Sequence, residues 1–245
     1  MEPSDLEPMR IPRHVHQFWC NAEASDSTVP EDVLGISNKW LEIEEDGHWK
    51  YTRWDHAKTE QLIERELGVL ERRLFANCLI PAMRADIARL VVIWVYGGLY
   101  ADLRLRLCGD SKQERMQNLD GLDKLLATHS PRFIGFKAPA NPGLISNALF
   151  AAPPRSAILW RSIKRCFVLI NDPSPRHADV WWLTGRRIHC EVLQSQKAKS
   201  DECVVLEREF VCEFMASYKR TGLTWQSLQR KGIYYDTASL PFGSE

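Results

Sequence analysis

The chain has no excess of charge of either sign: 32 Lys and Arg stand against 32 Asp and Glu. That balance reads against nucleic acid or an acidic membrane as the main partner, since each needs a large basic surface. Long hydrophobic runs are also missing. The longest, residues 90–96, holds seven residues, far short of the roughly 20 that span a bilayer. No apolar stretch of signal-peptide length opens the sequence, which reads against secretion by that route. Paired cysteines are missing too. Seven Cys lie scattered at 20, 78, 108, 166, 190, 203 and 212, with no Cys-x-x-Cys, so a zinc ribbon is not indicated. His14 and His56 show no metal-ligand spacing either. There is no Asn-x-Ser/Thr sequon. Free thiols in a chain long enough to build its own core suggest a reducing compartment, and a cytoplasmic protein is the expectation.

What is present is ordinary globular composition. Hydrophobic residues make up 44% and charged residues 26% of 245, which excludes disordered and collagen-like classes. The acidic, proline-bearing residues 1–10 read as a flexible tail. Residues 11–245 read as one domain, with a first half at 11–107 and a more variable half at 108–245. Residues 11–19 read as a buried strand, 31–41 as a helix and 49–54 as a second strand. A helical stretch over 56–74 has a break at Gly68. Pro81 suits a helix start, where its missing N–H is not needed.

The helix that follows is the most regular. Ile87, Leu90, Val91 and Trp94 stand at i, i+3, i+4 and i+7, a single apolar stripe. Val92 and Val95 widen it, so the helix is expected to be well buried. Asp86 and Arg89 are neighbours on another face. Gly97-Gly98 then stops the helix. Over residues 99–107, Leu99, Ala101, Leu103, Leu105 and Leu107 alternate with Tyr100, Asp102, Arg104 and Arg106. Period two predicts one half-buried strand, with the four polar residues on one face. Residues 109–130 read as a loop plus a short helix, 133–136 as a strand and 141–143 as a turn. Residues 147–152 read as a strand, 157–170 and 188–198 as helices, and the rest as short strands and aromatic loops. Strands alternating with helices predict an α/β fold with a mostly parallel sheet.

Three segments together carry a resemblance: IPRHVHQFW at 11–19, Asp86-x-x-Arg89, and YGGLYADLR at 96–104. They resemble the glycosyltransferase group with a DXD-containing sugar-binding region, which includes yeast outer-chain mannosyltransferases and clostridial glucosylating toxins. Ile11-Pro12, His16-Gln17, Trp19, Asp86, Arg89, Tyr96-Gly97-Gly98, Tyr100 and Asp102 match that pattern. Trp54-Asp55 stands where the group often has an aromatic–acid pair. Asn147, Thr184-Gly185 and Thr224-Trp225 resemble later, weaker segments.

The resemblance implies a GT-A fold of Rossmann type that binds a nucleotide-diphosphate sugar. It implies a base stacked on Trp19, and donor contacts from Asp86, Arg89, Tyr100, Asp102, Asn147 and Trp225. It also implies Mn²⁺ or Mg²⁺ on the second acid of the motif. In this chain that position is Arg104. A guanidinium cannot ligate a metal, but it pairs with phosphate through two parallel hydrogen bonds. Asp102 and Arg104 are therefore the expected catalytic residues, with Arg106 beside them and reduced or no metal dependence. The expected activity is hexose transfer to a glycan or lipid-linked acceptor, with the anomeric configuration retained. The alternatives are an inactive sugar-nucleotide or glycan-binding module, and a glucosylating effector acting on proteins. No transmembrane segment is expected, which leaves room for peripheral membrane association.

Overall fold

The computed structural model describes residues 10–21, 28–45, 47–139, 141–171, 180–185, 188, 191–192 and 202–214. The tail, the 188–198 helix, Thr224 and Trp225 lie wholly or largely outside them.

A six-stranded sheet runs through the molecule. Its members are β1 (His14–Phe18), β2 (Lys50–Trp54), β3 (Gly98–Ala101), β5 (Phe133–Ala138), β6 (Asn141–Ala152) and β7 (Cys203–Leu206). Their spatial order is β2-β1-β3-β6-β5-β7, and only β6 runs against the others. Two further strands, β4 (Leu105–Leu107) and β8 (Val211–Glu213), form a separate antiparallel pair. The expected α/β architecture with a mostly parallel sheet is what forms.

Helices cover both faces. On one side lie α3 (His56–Glu66), α4 (Val69–Ala76), α5 (Pro81–Tyr96), α7 (Ala157–Asn171) and the short α8 (Val180–Leu183). On the other lie α6 (Lys112–His129) and the run α1 (Glu31–Ser37), a 3₁₀ turn Asn38–Trp40, and α2 (Leu41–Glu44). Strand alternation sorts side chains between the layers. Tyr100, Phe150 and Ala152 face α5 and α7, whereas Leu99, Ala101, Leu149 and Ala151 face α6. Gly68, at φ +121, separates α3 from α4 where the sequence suggests a break.

α5 starts with Pro81 at its first turn and ends at Gly97, whose φ of +66 suits a C-terminal stop. Gly98 has a second reason to be glycine. A Cβ there would sit 2.3 Å from the His14 carbonyl oxygen, so no side chain fits between β1 and β3.

Four expectations need correction. Residues 99–107 are not one strand. β3 stops at Ala101, the Leu105 N–H donates to the Asp102 carbonyl (2.8 Å), and the chain turns into β4 on a different sheet. The alternation persists because both short strands bury their leucines, but the turn removes the common face assumed for Asp102, Arg104 and Arg106. Residues 112–129 are one 18-residue helix, started by a capping box in which Ser111 and Glu114 satisfy each other's backbone N–H groups. β6 runs through 141–143, where a turn is expected, paired to β5 with register shifts. Finally, Cys108 and Cys212 form a disulfide between β4 and β8, so the thiols are not all free. Cys20, Cys78 and Cys166 are buried thiols and Cys203 is half-buried. Among the described residues no helix is long and apolar enough to cross a membrane.

Candidate functional site

In an open sheet with parallel strands, ligands enter the crevice outside the carboxyl ends, where successive connections diverge. Here the chain leaves β1 for β2 on one side and later returns to β3 on the other. Trp19 directly follows β1 and Asp102 directly follows β3. Strand order alone therefore brings these two sequence-predicted residues to one end of the sheet.

Asp102 is fixed from several sides. Its N–H donates to the Ala148 carbonyl on β6 (2.9 Å). Its carbonyl accepts from the buried Gln17 amide on β1 (3.2 Å), and the other end of that amide accepts from the Tyr51 hydroxyl (2.9 Å). Its carboxylate accepts from the Tyr100 hydroxyl (3.1 Å) and pairs with Arg89 (3.3 Å). The Tyr100 phenol is pushed well above its ordinary pKa by burial, which keeps it a neutral donor. The Arg89 guanidinium also lies 4.9 Å from the centre of the Tyr100 ring.

Beneath Asp102 sits Asp86, one turn before Arg89 on α5 and only 6% exposed. Its two oxygens are divided. Oδ1 accepts from the Asn147 amide (2.6 Å) and faces Arg89 (3.3 Å), and Oδ2 accepts from the Thr184 hydroxyl (3.0 Å). Arg89 also donates to the carbonyls of Ala85 (3.0 Å) and Asn147. One guanidinium thus ties two carboxylates, α5 and β6 into a single buried network. Its charge is opposed by burial but favoured more strongly by Asp102, Tyr100 and Asp86, so its pKa is raised. At Asp86 burial wins: desolvation outweighs the attraction of Arg89 and lifts its pKa from 3.8 to about 6.

The raised value makes stability depend on pH. Between the ordinary value and about 6, Asp86 is protonated in the fold but ionised in the unfolded chain. Its stabilising contribution is complete below pH 3.8 and is lost as pH rises through about 6. Asp86→Asn is therefore expected to flatten the fall in stability over that window, a difference of roughly 3 kcal/mol. Urea unfolding of both proteins at several pH values from 4 to 7 measures it, and parallel curves would contradict it.

The other predicted residues divide. Trp19 is half-buried; its indole N–H donates to the Thr28 carbonyl (3.0 Å), and its ring packs with Val33 and Leu103, next to the turn after Asp102. Arg104 pairs with Glu213 on β8, and its carbonyl accepts from the Phe214 N–H (2.9 Å). Arg106 is not brought to Asp102's network. Its guanidinium stacks 4.1 Å from the centre of the Phe214 ring and donates to the Gly109 carbonyl (3.1 Å). His16 is fully buried, and its Nδ1 accepts from the Trp54 indole (3.1 Å). Burial and the adjacent His14 ring hold its pKa well below 6.5, in keeping with a structural histidine.

Sequence reasoning gave no site role to Gln17, Thr184, Arg208 or Glu213. Gln17 had a signal, an amide in the middle of a buried parallel strand, where a side chain must find partners. Arg208 and Glu213 had none, because their placement depends on β8 returning to β4.

The chemistry of the donor set is informative about a divalent cation. Asp102 offers one carboxylate, the position after next is a guanidinium, and the nearby Glu213 carboxylate is engaged by that guanidinium. Among the described residues no group of three or more His, Cys, Asp or Glu is placed to hold a metal ion. These residues do not fit the two-acid metal site that the resemblance implies.

Comparison with known proteins agrees with the region that the geometry singles out. Residues 30–109 match the family model described as a glycosyltransferase sugar-binding region containing a DXD motif. The mannosyl phosphorylinositol ceramide synthase SUR1 of Saccharomyces cerevisiae is 27% identical over 176 residues, 72% of this chain. The chain spans only 37% of that relative's length. Two solved structures are distant likenesses. The PaToxG glycosyltransferase has a TM-score of 0.47 at 14% identity, over 77% of this chain and 70% of its own. The UDP-bound glycosyltransferase domain of the YGT toxin has a TM-score of 0.44 at 11% identity, over 85% and 63%. Asp86, Arg89, Tyr100 and Asp102 all lie inside residues 30–109, the region similar to the glycosyltransferase sugar-binding region containing a DXD motif.

Proposed function

We propose that this protein transfers a hexose from a nucleotide-diphosphate sugar to a hydroxyl of a glycan or lipid-linked acceptor, with retention at the anomeric carbon. The observation that carries this reading is the network in which Arg89 joins Asp86 to Asp102 at the carboxyl end of β3. Asp102, with a quarter of its side chain accessible, is the member that offers a carboxylate to the crevice. A sugar or ribose hydroxyl donating to it makes a charge-assisted hydrogen bond, about twice as strong as a neutral one. Trp19, at the neighbouring strand end, supplies an aromatic face for the base.

In the transfer, the bond from the anomeric carbon to the diphosphate oxygen breaks and a bond to the acceptor oxygen forms. The acceptor's proton passes to the departing diphosphate, so no enzymic nucleophile is required. Charge gathers on that leaving group, and the guanidinium of Arg104, in the turn that follows Asp102, is the cation assigned to it in this reading. The similarity to a mannosyl phosphorylinositol ceramide synthase favours a lipid-linked acceptor.

A second reading, a donor-binding protein without turnover, is favoured by the same arginine at the position of the motif's second acid. Binding and hydrolysis of UDP-, GDP- and dTDP-sugars, each with EDTA and with Mn²⁺, separate these readings. The proposal expects a donor to bind and turn over in EDTA. A donor 100-fold above its dissociation constant stabilises the fold by about 2.7 kcal/mol, a shift visible in thermal melts. Binding without turnover supports the second reading. Strict dependence of both on Mn²⁺ would show that Arg104 does not stabilise the leaving diphosphate in place of a metal.

A further inference from the structure

β8 returns beside β4 with Leu105 opposite Glu213 and Leu107 opposite Val211. The Cys108–Cys212 disulfide fixes that return, and the Phe214 N–H closes it onto the Arg104 carbonyl. Glu213 is thereby set immediately beyond the turn that follows Asp102. Its carboxylate lies between two guanidiniums: Oε1 meets Arg104, and Oε2 meets Arg208 at 3.5 Å. Arg208 is mostly buried, with 13% of its side chain accessible, whereas Glu213 keeps about a third.

Guanidiniums that meet carboxylate oxygens meet phosphate oxygens by the same charge-assisted hydrogen bonds, and a diphosphate offers enough oxygens for both arginines. Two arginines around one carboxylate also leave a net charge of +1. A surface ion pair would need only one cation. The second is in excess for Glu213 and matches a ligand of higher charge.

We propose that Arg208 is a second diphosphate-binding residue alongside Arg104, and that Glu213 is an internal counter-ion which the diphosphate displaces. The inference rests on the leaving-group role proposed for Arg104 and extends it to a partner 104 residues away in sequence. The return of β8 sets two guanidiniums around one carboxylate, beside the turn that follows Asp102. Glu213 keeps the two guanidiniums together while the site is empty, so they do not repel each other apart. It then lowers the net affinity, because its charge must move aside.

Calorimetric binding of UDP, GDP and dTDP, with the matching monophosphates and nucleosides, in EDTA at fixed salt, tests this. For the nucleotide that binds, Arg208→Gln is expected to weaken the diphosphate at least tenfold and to leave nucleoside affinity unchanged. Glu213→Gln is expected to tighten the diphosphate about three- to tenfold, again without effect on the nucleoside. Arg208→Lys, which keeps the charge, should fall between wild type and Arg208→Gln, and it reports even where Glu213→Gln does not fold. Unchanged diphosphate affinity in Arg208→Gln, or weaker binding in a folded Glu213→Gln, overturns the proposal while leaving the donor-binding reading intact. Failure of the wild-type protein to bind any of the nucleotides, with EDTA or with Mn²⁺, overturns the donor-binding reading itself.

Discussion

Replacing Arg89 with methionine is expected to lower the free energy of unfolding by about 3–5 kcal/mol, the usual cost of stranding one partner of a buried ion pair. Methionine fills similar apolar volume, so the loss reports mainly on polar contacts. Asp86 would keep its bonds from Asn147 and Thr184 but lose the cation that its carboxylate faces. It would then take up a proton at higher pH than in the wild type, which moderates the loss. Asp102 would keep the Tyr100 hydroxyl and its backbone anchors. Because the residues act as one network, Arg89→Met with Asp86→Asn should cost less than the two single changes added together. Urea unfolding of the four proteins gives that coupling. A loss below about 1 kcal/mol for Arg89→Met would mean that the pair behaves like a surface contact. Donor affinity should fall in step, since Asp102 would no longer be held to the helix.

The sequence makes part of this network legible and hides the rest, for physical reasons. Asp86 and Arg89 interrupt an apolar helix at a spacing of three, and residues of that kind on a buried helix must find partners. Tyr100 and Asp102 follow a double glycine: a Cβ at Gly98 would meet the His14 carbonyl oxygen, and one at Gly97 would meet Pro12 and Pro154. Both are local signals. Alternation over 99–107, by contrast, records which side chains are buried but not which strand they pair with. It therefore continues across the turn from Asp102 to Leu105, although the chain has changed sheets. The 112–129 helix was legible from Ser111-x-x-Glu114, a capping box that its many charged residues obscure. Thr184 carried only the weak Thr-Gly resemblance, which gave no contact with Asp86, and Arg208 and Glu213 come into place only through tertiary packing, with no local pattern to mark them.

The pairing of Cys108 with Cys212 is the feature that spacing could least reveal and that bears most on the far side of the site. The double variant Cys108→Ser, Cys212→Ser is expected to unfold with about 2–4 kcal/mol less free energy than the oxidised protein. Loop closure over a sequence separation of 104 residues would reach about 4.7 kcal/mol, and measured bridges usually give less. Reductant should bring the wild type to the level of the variant and leave the variant unchanged. A thiol count under denaturing, non-reducing conditions should fall at least two short of the seven cysteines in the sequence. A full count would show that the bridge does not form. The effect extends beyond stability, because β4 and β8 form a two-stranded pair of only three residues each, and such a pair is marginal by itself. The disulfide and the Arg104–Glu213 ion pair hold the strands in register. Without the bridge, β8 is free to leave, and Glu213 and Arg208 leave with it. Diphosphate affinity should therefore fall in the double variant even at temperatures where the domain remains folded, whereas nucleoside affinity, which depends on the strand ends of the main sheet, should not.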